Sequence, residues 1–245
     1  MMQDWHNIYT QQRGNAMNKL DQKIGAWSGP IFAAFLGAAL MVPGFFPLPS
    51  PQLTVDEVVA IYQGRTGLIR VGVVLAFIGI TFVVPFAAVI STQMRRMHGI
   101  SQMAIYLQLG AGAAGAIVVL LPFLVIGVAS FRPDRDPQLT MMLNDTAWLG
   151  FITVFPLAVA QNVGLAMGTL MDKSARPVFP RWVGYFNLWV GLLFIPAVLA
   201  FFLKSGPFAW DGLISFWLAA CAFFGWLLVM TYVLLKAIGE SDAGA

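Results

Sequence analysis

The sequence predicts an all-α, polytopic membrane protein with six transmembrane helices. Of its 245 residues, 59% are hydrophobic and only 10% are charged, which is too little charge to keep a folded domain of this length in water. Six uncharged stretches each contain at least the roughly 20 residues that cross about 30 Å of hydrocarbon. Each stretch is continuously apolar rather than alternating, so helices are favoured over a β-barrel.

The six predicted spans form one transmembrane domain over residues 25–236. They lie near 25–46, 68–91, 103–128, 147–171, 183–203 and 213–235. Residues 1–24 are predicted to form a polar cytoplasmic lead-in and residues 237–245 a cytoplasmic tail, and neither is long enough for a second domain. The first span starts too late and runs too long to be a cleaved signal peptide.

The basic residues predict the orientation of the spans. One side of the predicted membrane carries Arg13, Lys19, Lys23, Arg95, Arg96, Lys173, Arg176, Arg181 and Lys236, and the other carries Arg65, Arg70, Arg132, Arg135 and Lys204. Because the more basic side stays inside and the number of spans is even, both termini are predicted to be cytoplasmic. We expect a bacterial cytoplasmic membrane, with the lipid bilayer as partner. No nucleic-acid partner is expected, since these residues lie at helix ends rather than on one surface.

Tryptophans at the predicted span ends fit this arrangement. Trp27 and Trp182 lie at predicted cytoplasmic boundaries, and Trp148 and Trp210 lie at predicted outer boundaries. Indole rings prefer the membrane–water interface, so all four side chains are expected to lie at that interface.

The first outer loop is predicted to contain a short helix. The segment Phe46-Pro-Leu-Pro-Ser-Pro51 is expected to be extended, because prolines discourage helix. Thr54 and Glu57 then have the spacing of a capping box, with Thr54 as the N-cap. Apolar residues follow at helical spacing, so residues 54–63 are predicted to form a short amphipathic helix on the outer membrane surface.

The second outer loop repeats four residues of the first. Pro137-Gln-Leu-Thr140 matches Pro51-Gln-Leu-Thr54, and the first, third and fifth spans each carry a proline towards their outer half. A threefold repeat of helical hairpins is one interpretation of this match, and chance identity over four residues is the other.

Small residues and prolines inside the spans predict how the helices pack. Gly110, Gly112 and Gly115 leave part of the third span without side-chain bulk, which lets another helix approach closely. That helix belongs to this bundle, to a protein partner or to a second copy of the chain. Each of spans two to five is predicted to kink at one proline, where a backbone hydrogen bond is lost. These prolines are Pro85, Pro122, Pro156 and Pro196.

The residue content argues against most membrane chemistry. His6 and His98 are the only histidines and fall in predicted cytoplasmic segments, so no imidazole cluster is expected to hold haem or a metal. Apart from Arg70, two residues inside the second span, no span contains a charged residue of the kind that couples transport to protons or sodium. Cys221 is the only cysteine, so no disulfide forms within the chain. No catalytic residue, metal site or cofactor is therefore predicted.

Polar side chains inside the spans form the main candidate site. They are Gln108, Gln161, Asn162, Tyr185 and Asn187, all in the predicted cytoplasmic half of spans three to five. One interpretation is hydrogen bonding between helices, worth about 0.6–2 kcal/mol per contact. The other is a binding site for a neutral amphiphile in an apolar pocket. Gln161 and Asn162 point about 100° apart on a helix, so they cannot easily both face one neighbour.

Charges near the outer boundary form a second, weaker candidate site. Arg70 is expected to reach outward and pair with Asp145 or Asp211. Asp134 and Asp136 have a spacing that suits magnesium with phosphate, as a lipid-transferring enzyme would need. The arginines interleaved with these two acids favour local neutralisation instead. Asp145 is expected to be the N-cap of the fourth span.

Three functions are compatible with these residues. A non-catalytic subunit or scaffold of a larger membrane assembly follows from the missing ionisable residues and the small-residue third span. A carrier or binding protein for an uncharged lipophilic small molecule follows from the amides beside kinked helices. An enzyme acting on lipid would need Asp134 and Asp136 in the outer loop.

Overall fold

The computed structural model describes residues 18–240, and all regular structure in that range is helical. The α-helices in chain order are α1 (Lys19–Met41), α2 (Val55–Gly64), α3 (Thr66–Ile80), α4 (Val83–Met94), α5 (Gln102–Phe131), α6 (Pro137–Thr153), α7 (Pro156–Met171), α8 (Arg181–Phe194) and α9 (Ala219–Gly239). A 3-10 helix (Ile195–Phe201) follows α8, and a π-helix (Leu213–Leu218) precedes α9. His6, Arg13, most of the predicted lead-in and the end of the predicted tail lie outside the described residues.

Six helical segments are long and apolar enough to cross a membrane. In chain order, and numbered here as spans one to six, they are Lys19–Met41, Thr66–Met94, Gln102–Phe131, Pro137–Met171, Arg181–Phe201 and Leu213–Gly239. The prediction of an all-α chain with six membrane-length helices is therefore confirmed for the described residues.

Spans one and four begin earlier than predicted. Span one starts at Lys19 rather than near residue 25, because the side chain of Asn18 accepts a hydrogen bond from the N–H of Asp21 at 2.9 Å and caps the helix. Span four starts at Pro137 rather than near residue 147. Its N-cap is Asp136, whose carboxylate accepts the N–H of Gln138 at 2.9 Å. The expectation that Asp145 caps this span is wrong, since Asp145 lies inside α6.

The repeated tetrapeptide adopts a different structure in each copy. Residues 51–54 precede α2 and end in its N-cap, Thr54. Residues 137–140 form the first turn of α6, which Asp136 caps. The four shared residues therefore do not mark equivalent positions of a structural repeat.

The six spans form a closed ring. Each span packs against the next one in the chain, and span six packs against span one. At that closure the Thr231 hydroxyl donates to the carbonyl oxygen of Ala26 at 3.4 Å. We call the end of the ring that carries Lys19 and Gly239 the base, and the end that carries Met41 and Thr66 the top. The assignment of the base to the cytoplasm remains a prediction.

Three spans change their helical structure next to a proline. Span two breaks between α3 and α4, just before Pro85, and span four breaks between α6 and α7, just before Pro156. Span five becomes a 3-10 helix at Ile195, which precedes Pro196. Proline has no N–H, so the carbonyl four residues earlier loses its donor and the regular helix is interrupted. At Pro122, by contrast, α5 continues without a break.

The helix α2 packs over the top ends of spans two, three and four. Its N-terminus has both hydrogen bonds of the capping box: the Thr54 N–H donates to the Glu57 carboxylate at 2.7 Å, and the Glu57 N–H donates to the Thr54 hydroxyl at 3.4 Å. The Thr54 N–H and the Thr54 hydroxyl, which donates at 2.9 Å, both bind the carboxylate of the exposed Glu57 and lower its pKa. The buried side chains of α2 are Val58 and Tyr62, and the Tyr62 ring lies 6.4 Å from that of Phe45. The predicted position of this helix on a membrane surface remains a prediction.

Two of the four boundary tryptophans are buried instead of facing headgroups. Trp148 donates its ring N–H to Asn144 at 2.9 Å, and Trp210 donates to the carbonyl oxygen of Pro49 at 2.8 Å. The interfacial prediction is wrong for these two, because α6 and the loop before span six turn both indoles into the protein. Trp27 and Trp182 are exposed, as an interfacial position requires.

At the base, Asp172 joins the loop between spans two and three to the loop between spans four and five. Its carboxylate accepts the N–H groups of His98 at 3.1 Å, Ser174 at 2.9 Å and Val178 at 3.1 Å. Burial alone would raise the pKa of Asp172, but these bonds and one from the Ser174 hydroxyl outweigh it and lower the pKa.

Candidate functional site

The centre of the ring contains a cavity of about 270 Å³, and every one of the six spans contributes to its wall. Ten of the chain's 20 phenylalanines line it. They are Phe32, Phe46, Phe82, Phe86, Phe151, Phe155, Phe194, Phe216, Phe223 and Phe224. No described residue with a charged side chain lines the cavity. The wall is therefore almost entirely apolar and strongly aromatic.

Glycines and helix breaks make room for this cavity. Gly37 of span one and Gly115 of span three both line it, and a Cβ added at either would meet no atom within 4 Å. The breaks in spans two and four also face the cavity, since Phe82 and Phe155 line its wall. Where a regular helix with larger side chains would fill the centre, these features leave it empty.

The amide of Gln161 is the one free polar side-chain group in the wall. Gln161 lies on α7, lines the cavity and makes no hydrogen bond to a described residue. Ser215 also lines the wall, but its hydroxyl donates to the carbonyl oxygen of Phe208 at 2.9 Å. Gln161 is half-buried, and an amide without a partner in an apolar wall is a costly group, so this amide is where a bound molecule gains most from a hydrogen bond.

Trp226 of span six forms part of the wall, at the end of the cavity nearer the base, and is held in place by a hydrogen bond to Asn187. The ring N–H of Trp226 donates to the side-chain oxygen of Asn187 at 2.8 Å, and the Asn187 amide donates to the carbonyl oxygen of Val183 at 2.7 Å. The Trp226 and Phe86 rings are nearly perpendicular, with ring centres 5.8 Å apart. Asn187 therefore acts on the cavity only through Trp226.

Gln108 and Asn162 are buried outside the cavity wall. Gln108 accepts a hydrogen bond from the Ser91 hydroxyl, and its amide nitrogen has no partner. Asn162 donates to the carbonyl oxygen of Ala158 at 2.8 Å, and its side-chain oxygen has no partner. Asn162 faces span five, where a Cβ on Gly191 would lie 3.5 Å from the Cβ of Asn162. Adjacent residues on α7 thus face different neighbours, as the helical rotation requires.

The remaining predicted residues lie on surfaces. Tyr185 is 55% exposed on the outside of span five and does not reach the amides. Of the three small residues in span three, Gly112 and Gly115 face the cavity, whereas Gly110 is exposed with open space beside it.

The outer charges do not assemble into a site. Arg70 donates to the carbonyl oxygens of Ser130 at 2.9 Å and Phe131 at 3.2 Å, at the C-terminal end of α5, so the predicted pairing with Asp145 or Asp211 is wrong. A guanidinium is well placed there because the last carbonyls of a helix lack donors. Asp136 caps α6 and Asp134 is exposed. Within residues 18–240, no three His, Cys, Asp or Glu side chains lie close enough to hold a metal ion.

Comparison with protein-family models, with curated proteins and with solved structures gives no match for this chain.

The phenylalanines of the wall were not predicted from the sequence. Some of them lie beside a proline of a span, as Phe82 and Phe86 do beside Pro85, but such a pattern is equally typical of a filled core.

Proposed function

We propose that this protein binds an uncharged, lipophilic small molecule in its central cavity, either as a carrier or as a membrane-embedded binding protein. The observation that carries the proposal is a wall built from all six spans, aromatic and apolar except for the free amide of Gln161. Its volume of about 270 Å³ lies near the lower end of the roughly 300–1,000 Å³ typical of small-molecule sites. A charged ligand is disfavoured, because the wall offers no group to pair with it.

The exposure of the wall supports access to the cavity from the top. Met41 and Phe46 line the cavity and are nevertheless 61% and 41% exposed. From these two residues the cavity extends past Phe223 and Phe155 to Gln161, in the half of span four nearer the base. A molecule dissolved in the membrane could therefore enter beside Met41 and reach the amide without crossing a charged region.

The test is to extract the small molecules that purify with the protein and identify them by mass spectrometry. The matched variant is Gly115→Leu, which fills the cavity from a position where an added side chain meets open space. A defined lipophilic molecule is expected in the wild type and not in the variant. Equal amounts in both proteins, with equal thermal stability, would contradict the proposal.

A second candidate is a membrane subunit or scaffold of a larger assembly, through a protein partner or a second copy of the chain. It is favoured by Gly110, an exposed glycine in the base-side half of a helix of membrane-spanning length, where another helix could approach closely. Mild extraction from the native host should then yield a stoichiometric partner, which Gly110→Leu should release. A protein that always extracts as a lone chain would contradict this candidate.

The orientation of the spans and the membrane in which they lie are also part of the proposal. The positive-inside rule favours a base that faces the cytoplasm, and the membrane proposed for the protein is a bacterial cytoplasmic membrane. Cysteines introduced singly at Asp134 and Lys173 test it by labelling intact cells with a membrane-impermeant thiol reagent. Labelling of the Asp134 position alone is expected, and labelling of the Lys173 position alone would reverse the orientation.

A further inference from the structure

The wall of the cavity also indicates which chemical group the ligand carries and where that group lies. We infer that the ligand is a neutral alcohol or ketone with a body about the size of two fused rings, whose oxygen binds Gln161 and whose apolar body extends towards Met41 and Phe46. This inference rests on the proposed function, since it describes a ligand of the same cavity.

The position of the oxygen follows from which polar groups are free. The Trp226 N–H is taken by Asn187 and the Ser215 hydroxyl by Phe208, whereas the Gln161 amide has no partner among the described residues. An amide both donates and accepts, so a hydroxyl can use both of its ends and a ketone can use the N–H. A pure hydrocarbon would leave the amide desolvated and unpaired.

The amide has room at this place because span three has no side chain opposite it. A Cβ added to Gly112 would lie 2.6 Å from the amide nitrogen of Gln161 and 3.0 Å from the Cβ of Ala87. The amide is thus confined between α7 and the backbone of α5. This confinement fixes where a hydrogen-bonding oxygen must lie.

The size of the body follows from the volume. An apolar cavity of about 150 Å³ holds one benzene-sized molecule. A cavity of about 270 Å³ therefore suits two fused rings, and it is too small for a phospholipid. Phenylalanines on several sides favour a flat or unsaturated body, because aromatic rings gain from edge-to-face and stacked contacts.

The test compares two probes of equal shape, 2-naphthol and 2-methylnaphthalene, on the full-length protein in lipid nanodiscs. Empty nanodiscs correct for partition into lipid. Four proteins are compared: the wild type, Gln161→Leu, Asn162→Leu and Gly115→Leu. Asn162→Leu is the matched control, since it removes an adjacent amide that does not line the cavity. Thermal unfolding of each variant establishes that it is folded.

The wild type is expected to bind 2-naphthol about tenfold more tightly than 2-methylnaphthalene, in line with the net value of one hydrogen bond. Gln161→Leu should abolish that preference, and Asn162→Leu should retain it. Equal binding of both probes to the wild type would overturn the inference but leave the proposed function intact. A preference that survives in Gln161→Leu, or that Asn162→Leu also loses, would overturn the role of Gln161. Probe binding to the wild type no greater than to Gly115→Leu would overturn the proposed function itself.

Discussion

Gly164 of α7 lies directly against the backbone of Gln108 on α5. A Cβ added to Gly164 would be 2.8 Å from the backbone nitrogen of Gln108 and 2.9 Å from the carbonyl oxygen of Ala104. Backbone atoms inside a helix cannot move aside as a side chain can, so this contact sets the distance between spans three and four. It thereby fixes two adjoining parts of the cavity wall.

Gly164→Ala is therefore expected to destabilise the protein by roughly 1–3 kcal/mol, because the extra methyl group must push two helices apart. Gly110→Ala is the matched control, since Gly110 is also in a helix but has open space beside it. Removing that glycine should be neutral or stabilise the protein by up to about 1 kcal/mol. Unfolding in mixed micelles measures both. Equal stability of the two variants would refute the close contact.

The bond between Asn187 and Trp226 gives a second prediction. Asn187→Leu leaves the buried indole N–H without an acceptor and should cost roughly 1–3 kcal/mol. Trp226→Phe leaves the Asn187 oxygen unpaired at a similar cost. The double variant should be less unstable than the sum of the two single variants, because neither polar group then remains unpaired. Strict additivity of the three unfolding free energies would show that the bond contributes nothing.

Asp172 gives a prediction about pH. Since its pKa is lowered in the folded protein, the carboxylate contributes stability above its ordinary pKa of 3.8, and this contribution is lost as the pH falls through the lower folded value. Asp172→Asn should lose this contribution at neutral pH and unfold with a shallower dependence on pH in the acid range. Asp134→Asn is the exposed control. If both variants follow the wild-type acid unfolding curve, Asp172 does not stabilise the two loops at the base.

Gly112 gives a prediction about binding. Gly112→Ala should displace the Gln161 amide and weaken binding of 2-naphthol by about tenfold, as loss of one hydrogen bond implies. Gly115→Ala lies one turn away, also lines the cavity and meets no atom, so it should have a much smaller effect. Fluorescence titration in nanodiscs compares the two variants. A larger loss in Gly115→Ala would mean that filling space, rather than the position of Gln161, controls binding.

The features that depend on composition along the chain were predictable, whereas those that depend on helix rotation were not. The uncharged stretches locate all six spans, and the missing N–H of Pro85, Pro156 and Pro196 locates three interruptions. Counting residues also places the amides in the halves of spans three to five nearer the base, where the structure has them. Which of Gln161 and Asn162 faces the cavity did not follow, because that depends on how α7 packs against α5 and α8.

The errors at span ends have a common physical cause. Asp145 was expected to cap a helix because it precedes an apolar run. The helix begins earlier instead, because the Asp136 carboxylate caps it and Pro137 occupies its first position. Trp148 was expected at the interface, although Asn144, one turn earlier on the same helix, offered it a buried hydrogen-bond partner. Hydropathy marks where the apolar run begins, and caps mark where the helix begins.

The open space beside Gly37 and Gly115 also affects how much the volume of the system changes when the protein unfolds. Space that a fold keeps free of protein atoms is lost when the chain unfolds, so unfolding reduces the volume of the system and is promoted by hydrostatic pressure. A molecule bound in the cavity fills this space and so reduces the volume decrease on unfolding. The unoccupied protein should therefore be markedly more pressure-sensitive than the occupied one, even where both melt at similar temperatures.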